Sequence, residues 1–184
     1  MSNIPGTVLV KDEEIKDIFV DALVPLMKIT GGLMLSQICE ITGLETATIQ
    51  NWVKRGFVRS PEAKKYSKEQ VARILIINSL RDTMQIDKIA TLLSYLNGNL
   101  LDTSDDIITD SELYMYFCKV VFELEELKIS QRKIVFQCIQ RNLEDYTGEG
   151  KEKLEKALLV MALTYQATML KKKAAKIFDE EIVD

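Results

Sequence analysis

The sequence predicts an all-α chain with at most one small β-hairpin, and three observations carry that expectation. Apolar residues recur at helical spacing over most of the length, only three prolines and eight glycines interrupt 184 residues, and alternation of β-branched residues is rare. Apolar residues make up 47% and charged residues 28%, enough core material for a folded globular chain.

The first predicted element covers residues 11–27, where Ile15, Ile18, Phe19, Ala22, Leu23 and Leu26 share one helical face. Thr30, Gly31 and Gly32 break it. Ser36 then suits the cap of a short helix reaching about Ile41. Gly43 supplies the positive φ of a tight turn, and Thr46 offers a side-chain oxygen to a second short helix ending near Lys54, with Gly56 behind it as a left-handed cap. Two short helices meeting at such a turn form a helix-turn-helix pattern.

Residues 56–66 hold Pro61 and several charges between Phe57, Val58 and Tyr66, which fits a small hairpin or wing. Ser67 and Gln70 have capping-box spacing, and Val71, Ile74, Leu75, Asn78 and Leu80 extend a helix to about Asp82. Ile86, Ile89, Leu92, Leu93 and Leu96 line another that stops at Asn97 and Gly98. An acidic stretch with Asp102, Asp105, Asp106 and Asp110 follows, and three helical segments complete the chain at about 111–128, 130–146 and 150–178. The predicted organisation is an amphipathic helix within 1–33, a winged helix-turn-helix over 34–98, and a helical bundle over 99–184. In the last helix Leu154, Leu158, Met161, Tyr165 and Met169 form one apolar stripe, and Leu159, Leu163, Ala167 and Leu170 form another. A helix apolar on two sides is central in its bundle or shared with a second subunit, so the bundle is expected to dimerise or regulate.

Composition narrows the function. The chain has no histidine, which removes the commonest general base and metal ligand, and no nucleophile, base or ligand cluster stands out, so neither an enzyme nor a cofactor or metal site is expected. Adjacent acids such as Glu125 and Glu126 diverge on a helix and make poor catalytic pairs. Cys39, Cys118 and Cys138 are widely spaced and read as reduced, buried thiols. The absence of a long apolar run or a signal-like start makes the cytoplasm the expected compartment, with no membrane partner. Tyr114, Tyr116, Phe117 and Phe122 suit core packing, or else the lining of a pocket for a small-molecule effector.

The net charge is −4, but it is segregated. Between positions 54 and 73, Lys54, Arg55, Arg59, Lys64, Lys65, Lys68 and Arg73 face only Glu62 and Glu69, a local +5 that leaves −9 elsewhere.

Four pieces resemble the N-terminal winged helix-turn-helix of MerR-type bacterial regulators and the related excisionase-like domains: Leu35 to Gly43, Thr48-Ile49 with Trp52, Gly56-Phe57-Val58, and Tyr66-Ser67 leading into Val71 to Leu75. The likeness covers about a third of the chain. As a whole, the chain resembles a poorly characterised bacterial family of MerR-like predicted regulators. The resemblance implies sequence-specific binding to double-stranded DNA and transcriptional regulation; a homodimer is expected because one short recognition helix reads few base pairs and a two-fold dimer doubles the contacts. It departs from the pattern at Ala47 and Gln50, where Arg is usual, at Asn51-Trp52 in place of a tyrosine pair, and in a shortened wing that keeps only Lys64-Lys65-Tyr66.

On the second helix Ala47, Gln50, Asn51 and Lys54 recur at i, i+3, i+4 and i+7, while Ile49 and Val53 turn inward. Gln and Asn suit bidentate bonds to adenine and Ala suits the thymine methyl. Lys54, Arg55, Arg59, Lys64, Lys65 and Arg73 are the candidate phosphate contacts, with Tyr66 beside them; Trp52 is expected in the core. The rival expectation is a protein-interaction module that uses the same fold without DNA, its acidic C-terminal half the working surface.

Overall fold

The computed structural model describes residues 3–10, 24–98, 100, 106–127 and 131–182. Within these the chain is mostly helical, with one two-stranded sheet. The expected helix over 11–27 lies outside the described residues as far as position 23; α1 spans Val24–Thr30.

The next elements are β1 (Leu33–Met34), α2 (Leu35–Thr42) and α3 (Thr46–Lys54). Gly43 takes φ 70° and its N–H bonds the Cys39 carbonyl, so α2 closes in a left-handed turn and α3 begins three residues later. The caps differ from those expected. Ser36 sits inside α2, which starts when the Gln37 side chain accepts the Met34 N–H at 2.8 Å. Thr46 is the first residue of α3, whose N-cap is Glu45 with no side-chain cap.

β2 (Lys65–Tyr66) pairs antiparallel with β1, Leu33 opposite Tyr66 and Met34 opposite Lys65. The strands pass so closely at Gly32 that a Cβ there would stand 2.6 Å from the Tyr66 carbonyl oxygen. Residues 62–65 make a tight turn of their own: Glu62 and Lys65 exchange backbone hydrogen bonds, and Ala63 and Lys64 have φ of 46° and 65°. That is a two-residue turn with both central residues left-handed.

α4 (Lys68–Leu80) opens on the expected box, Ser67 and Gln70 bonding each other's backbone N–H. It is more buried than one apolar face would make it, with every residue from Val71 to Ile77 excluded from solvent. The reason is its position: β2, α2 and α5 (Ile86–Asn97) pack on it from one half of the chain, and α6 (Asp110–Leu127) and α8 (Lys151–Glu181) from the other. α7 (Arg132–Asn142) completes the packing against α6 and α8. α7 stops four residues short of the expected end, and the Tyr146 hydroxyl beyond it bonds the Ile107 and Glu149 carbonyls.

One hydrophobic core runs from Leu33 through α4 to α8. Residues 3–10 dock on it, the Tyr114 hydroxyl donating to the Pro5 carbonyl at 2.7 Å and Asn78 Nδ2 to the Gly6 carbonyl at 2.9 Å. Tyr114 and Phe117 are wholly buried, and Tyr116 and Phe122 pack partly buried against the same core. Among the described residues no helix is long and apolar enough to cross a membrane.

Candidate nucleic-acid interface

The site starts from α3, whose inward residues hold it in place. Ile49 is fully buried and Trp52 nearly so, as expected for the tryptophan. Ala47, Gln50, Asn51 and Lys54, the four residues at i, i+3, i+4 and i+7, are all exposed. Nine residues give α3 a length of about 13 Å, and any α-helix, about 10–12 Å across, fits the width of a major groove, about 12 Å. Its exposed row combines two side-chain amides, a methyl and an ammonium, which between them can donate to and accept from base edges and contact phosphate.

Around α3 the cations divide into three kinds. Lys54 at the end of α3 and Lys64 at the tip of the tight turn are exposed, with no ion-pair partner among the described residues. Arg55 is exposed but occupied: it pairs with Asp87 at 3.2 Å and lies 4.5 Å over the Phe57 ring. Arg59 and Lys65 are half-buried braces, their side chains donating to the carbonyls of Leu100 and Thr30.

Two expected contacts are overturned by burial. Arg73 is only 6% exposed; its Nε donates to the Phe57 carbonyl at 2.8 Å and its guanidinium pairs with Asp110 at 3.0 Å. It binds the segment before the turn to α4 and α6 and is not available to a phosphate. Burial pushes the Asp110 carboxyl up from its ordinary value, against the opposing pull of Arg73. Tyr66 is 3% exposed in the strand pair, and burial pushes its phenol up too. The physical causes differ: Tyr66 is paired with Leu33 in the two-stranded sheet, and Arg73 lies on α4, packed from both halves of the chain.

The contacts that hold the turn and the start of α6 were not expected from the sequence. Gln70 Nε2 donates to the carbonyls of Arg59 and Ser60 at 2.9 and 2.8 Å, and Glu69 accepts both the backbone N–H and the hydroxyl of Ser111 at 2.8 Å. The first turn of α4 thereby clasps the 57–66 segment on one side and the start of α6 on the other. Arg81, exposed and 5.8 Å over the Trp52 ring, adds a cation behind α3. No spacing in the sequence links Trp52 to Arg81; the capping-box signal at Gln70 was visible, but not its second use.

The family model described as a domain of unknown function, DUF1836, matches residues 3–117, more than half of the chain. The chain belongs to the DUF1836 family. The DUF1836 match begins at the docked N-terminal segment and ends within α6, so it takes in α3, the tight turn and both partners of the Arg73–Asp110 pair. The chain is also 37% identical over 84 residues to the uncharacterized protein YkrK of Bacillus subtilis (strain 168), a stretch that covers 44% of this chain and 36% of YkrK. No solved structure matches the chain.

Proposed function

We propose that this DUF1836 chain is a cytoplasmic transcriptional regulator that binds double-stranded DNA sequence-specifically and carries out no catalytic step. In this reading α2 and α3 are the two helices of a MerR-like winged helix-turn-helix, α3 enters the major groove, and the 62–65 turn is its wing. Ala47, Gln50 and Asn51 read base edges; Lys54 and Lys64 contact phosphate. Arg55 joins them by exchanging Asp87 for a phosphate oxygen, because so exposed an ion pair holds it only weakly. Arg59 and Lys65 brace the wing, and Tyr66 and Arg73 belong to the scaffold.

The single observation that supports the reading best is the split of α3: an exposed row of Ala47, Gln50, Asn51 and Lys54 on a helix anchored by the buried Ile49 and Trp52. A merely solvated helix face needs no neighbouring cation held out on a left-handed turn, yet Lys64 is so held.

The test is to sequence the genomic fragments that the purified chain retains. The reading expects enrichment of fragments sharing a short motif, lost when Gln50→Ala and Asn51→Ala are combined. No enrichment over bulk DNA would overturn it in favour of the protein-interaction module.

A further inference from the structure

The solvent side of α8 carries an apolar line in which Leu163 packs partly buried against the core and the other members are exposed. Val160, Leu163, Ala167, Leu170, Ala174 and Ile177 follow one another at intervals of 3, 4, 3, 4 and 3 residues, the spacing of a coiled-coil seam. Val160 is 39% exposed, Leu170 63% and Ile177 41%; Ala167 and Ala174 are exposed and Leu163 is half-buried. The opposite face of the same helix, with Leu154, Leu158, Met161 and Tyr165, is the one buried in the core. Beyond Met169 every residue of α8 is exposed; Lys171 and Lys172 reach the Asp82 carbonyl at 3.1 Å and its carboxylate at 3.6 Å, and the turns after them are exposed throughout.

We propose that this seam is the docking surface for a second copy of the chain, paired antiparallel about a two-fold axis between Ala167 and Leu170. The series of intervals reads the same in both directions, which is the condition for a surface to match itself under such an axis. In that register Val160 meets the partner's Ile177, Leu163 meets the partner's Ala174 and Ala167 meets the partner's Leu170. Each leucine thus lies against an alanine, so large and small side chains alternate along the contact.

Charge at the two ends selects the direction. Continuing the same intervals outward reaches Lys156 at one end and Glu181 at the other, both exposed. Antiparallel pairing sets Lys156 opposite the partner's Glu181, twice over by symmetry. Parallel pairing would set like charge against like at both ends. Lys156 is held meanwhile by Glu152 at 2.7 Å, an exposed contact within one helical turn that leaves it free to exchange. This inference stands apart from the DNA reading, since the seam lies on an element outside the DUF1836 match.

Sedimentation equilibrium on the full chain is the first test, and a concentration-dependent dimer is expected. Leu170→Lys should give a monomer of unchanged helical content, since Leu170 touches no core. Lys156→Glu or Glu181→Lys alone should weaken the dimer at least tenfold, and the two together should restore it. Oxidation of Val160→Cys combined with Ile177→Cys should cross-link two chains, whereas either cysteine alone should not, its own copy lying about 25 Å away across the axis. A monomer across the whole accessible concentration range overturns the proposal. So does a dimer indifferent to Leu170→Lys, which uses another face, or cross-linking by the single cysteines, which means parallel helices.

Discussion

Arg73 and Asp110 form an ion pair 3.0 Å long with side chains 7% and 11% exposed, joining the central helix α4 to the first residue of α6. Two charges taken out of water so completely hold each other in place, and either one left alone is strongly unfavourable.

Arg73→Met should therefore lower stability by about 3–5 kcal/mol, a large part of what a typical domain possesses. Urea unfolding followed by circular dichroism measures it. Adding Asp110→Leu should recover much of the loss, because the orphaned carboxylate is gone. A small effect of Arg73→Met would place that guanidinium in solvent after all, and return it to the set of phosphate contacts.

The tight turn at 62–65 predicts a divergence between stability and binding. Left-handed backbone costs about 1–2 kcal/mol at a residue with a Cβ, and Ala63 and Lys64 both adopt it. Lys64→Gly should raise the unfolding midpoint by the equivalent of about 1 kcal/mol and at the same time weaken binding to any duplex. Thermal unfolding and a binding titration on the same preparation would show it; a gain in both would remove Lys64 from the interface.

Much of this was legible beforehand, and the reason is local. The bounds of α3 follow from neighbouring residues, Gly43 before it and Gly56 after it, and its outward row follows from helical spacing alone. The Arg73–Asp110 pair was not legible, because 37 positions separate its members and nothing distinguishes Arg73 within a run of cations. Nor was the docking of residues 3–10, which depends on the backbone carbonyls of Pro5 and Gly6 accepting from Tyr114 and Asn78. Backbone acceptors leave no mark in a sequence pattern. The turn at Ala63 and Lys64 was expected only as a hairpin or wing, since neither residue is the Gly or Asn that announces a left-handed pair.

Cysteine chemistry should follow burial. Burial, reinforced by Glu123, pushes the Cys138 thiol up to about 12, and Cys118 is 3% exposed. At pH 8 a disulfide reagent should react first with half-buried Cys39, whose own thiol is raised by burial and by Glu40, and with the other two only at the rate of unfolding. Rapid labelling of Cys118 or Cys138 in the folded chain would contradict this and favour a sensing role.

Glu123 gives a pH dependence of definite sign. Burial raises its carboxyl, but hydrogen bonds from Cys138, Asn142 and Arg141 outweigh that and leave it below its ordinary 4.5. A carboxylate held lower in the folded state adds stability that is fully present above about pH 4.5 and is lost as pH falls through the lowered value. The unfolding midpoints of the wild type and Glu123→Gln should therefore differ at pH 7 and converge toward pH 3. A constant gap would mean that the carboxylate's charge plays no part.

The most direct test of the DNA reading is a fluorescence-anisotropy titration of the full chain against a retained genomic site and a random duplex, at about 50 and about 200 mM salt. Affinity should fall with salt on both duplexes. Lys64→Ala should reduce the slope of log K against log salt by about 0.9 equally on the two. Gln50→Ala with Asn51→Ala should leave the slope alone and cut the preference for the retained site at least tenfold, as expected for about 1–3 kcal/mol of base discrimination per bidentate contact. Absence of binding at the lower salt, or a preference untouched by the two α3 substitutions, would contradict it.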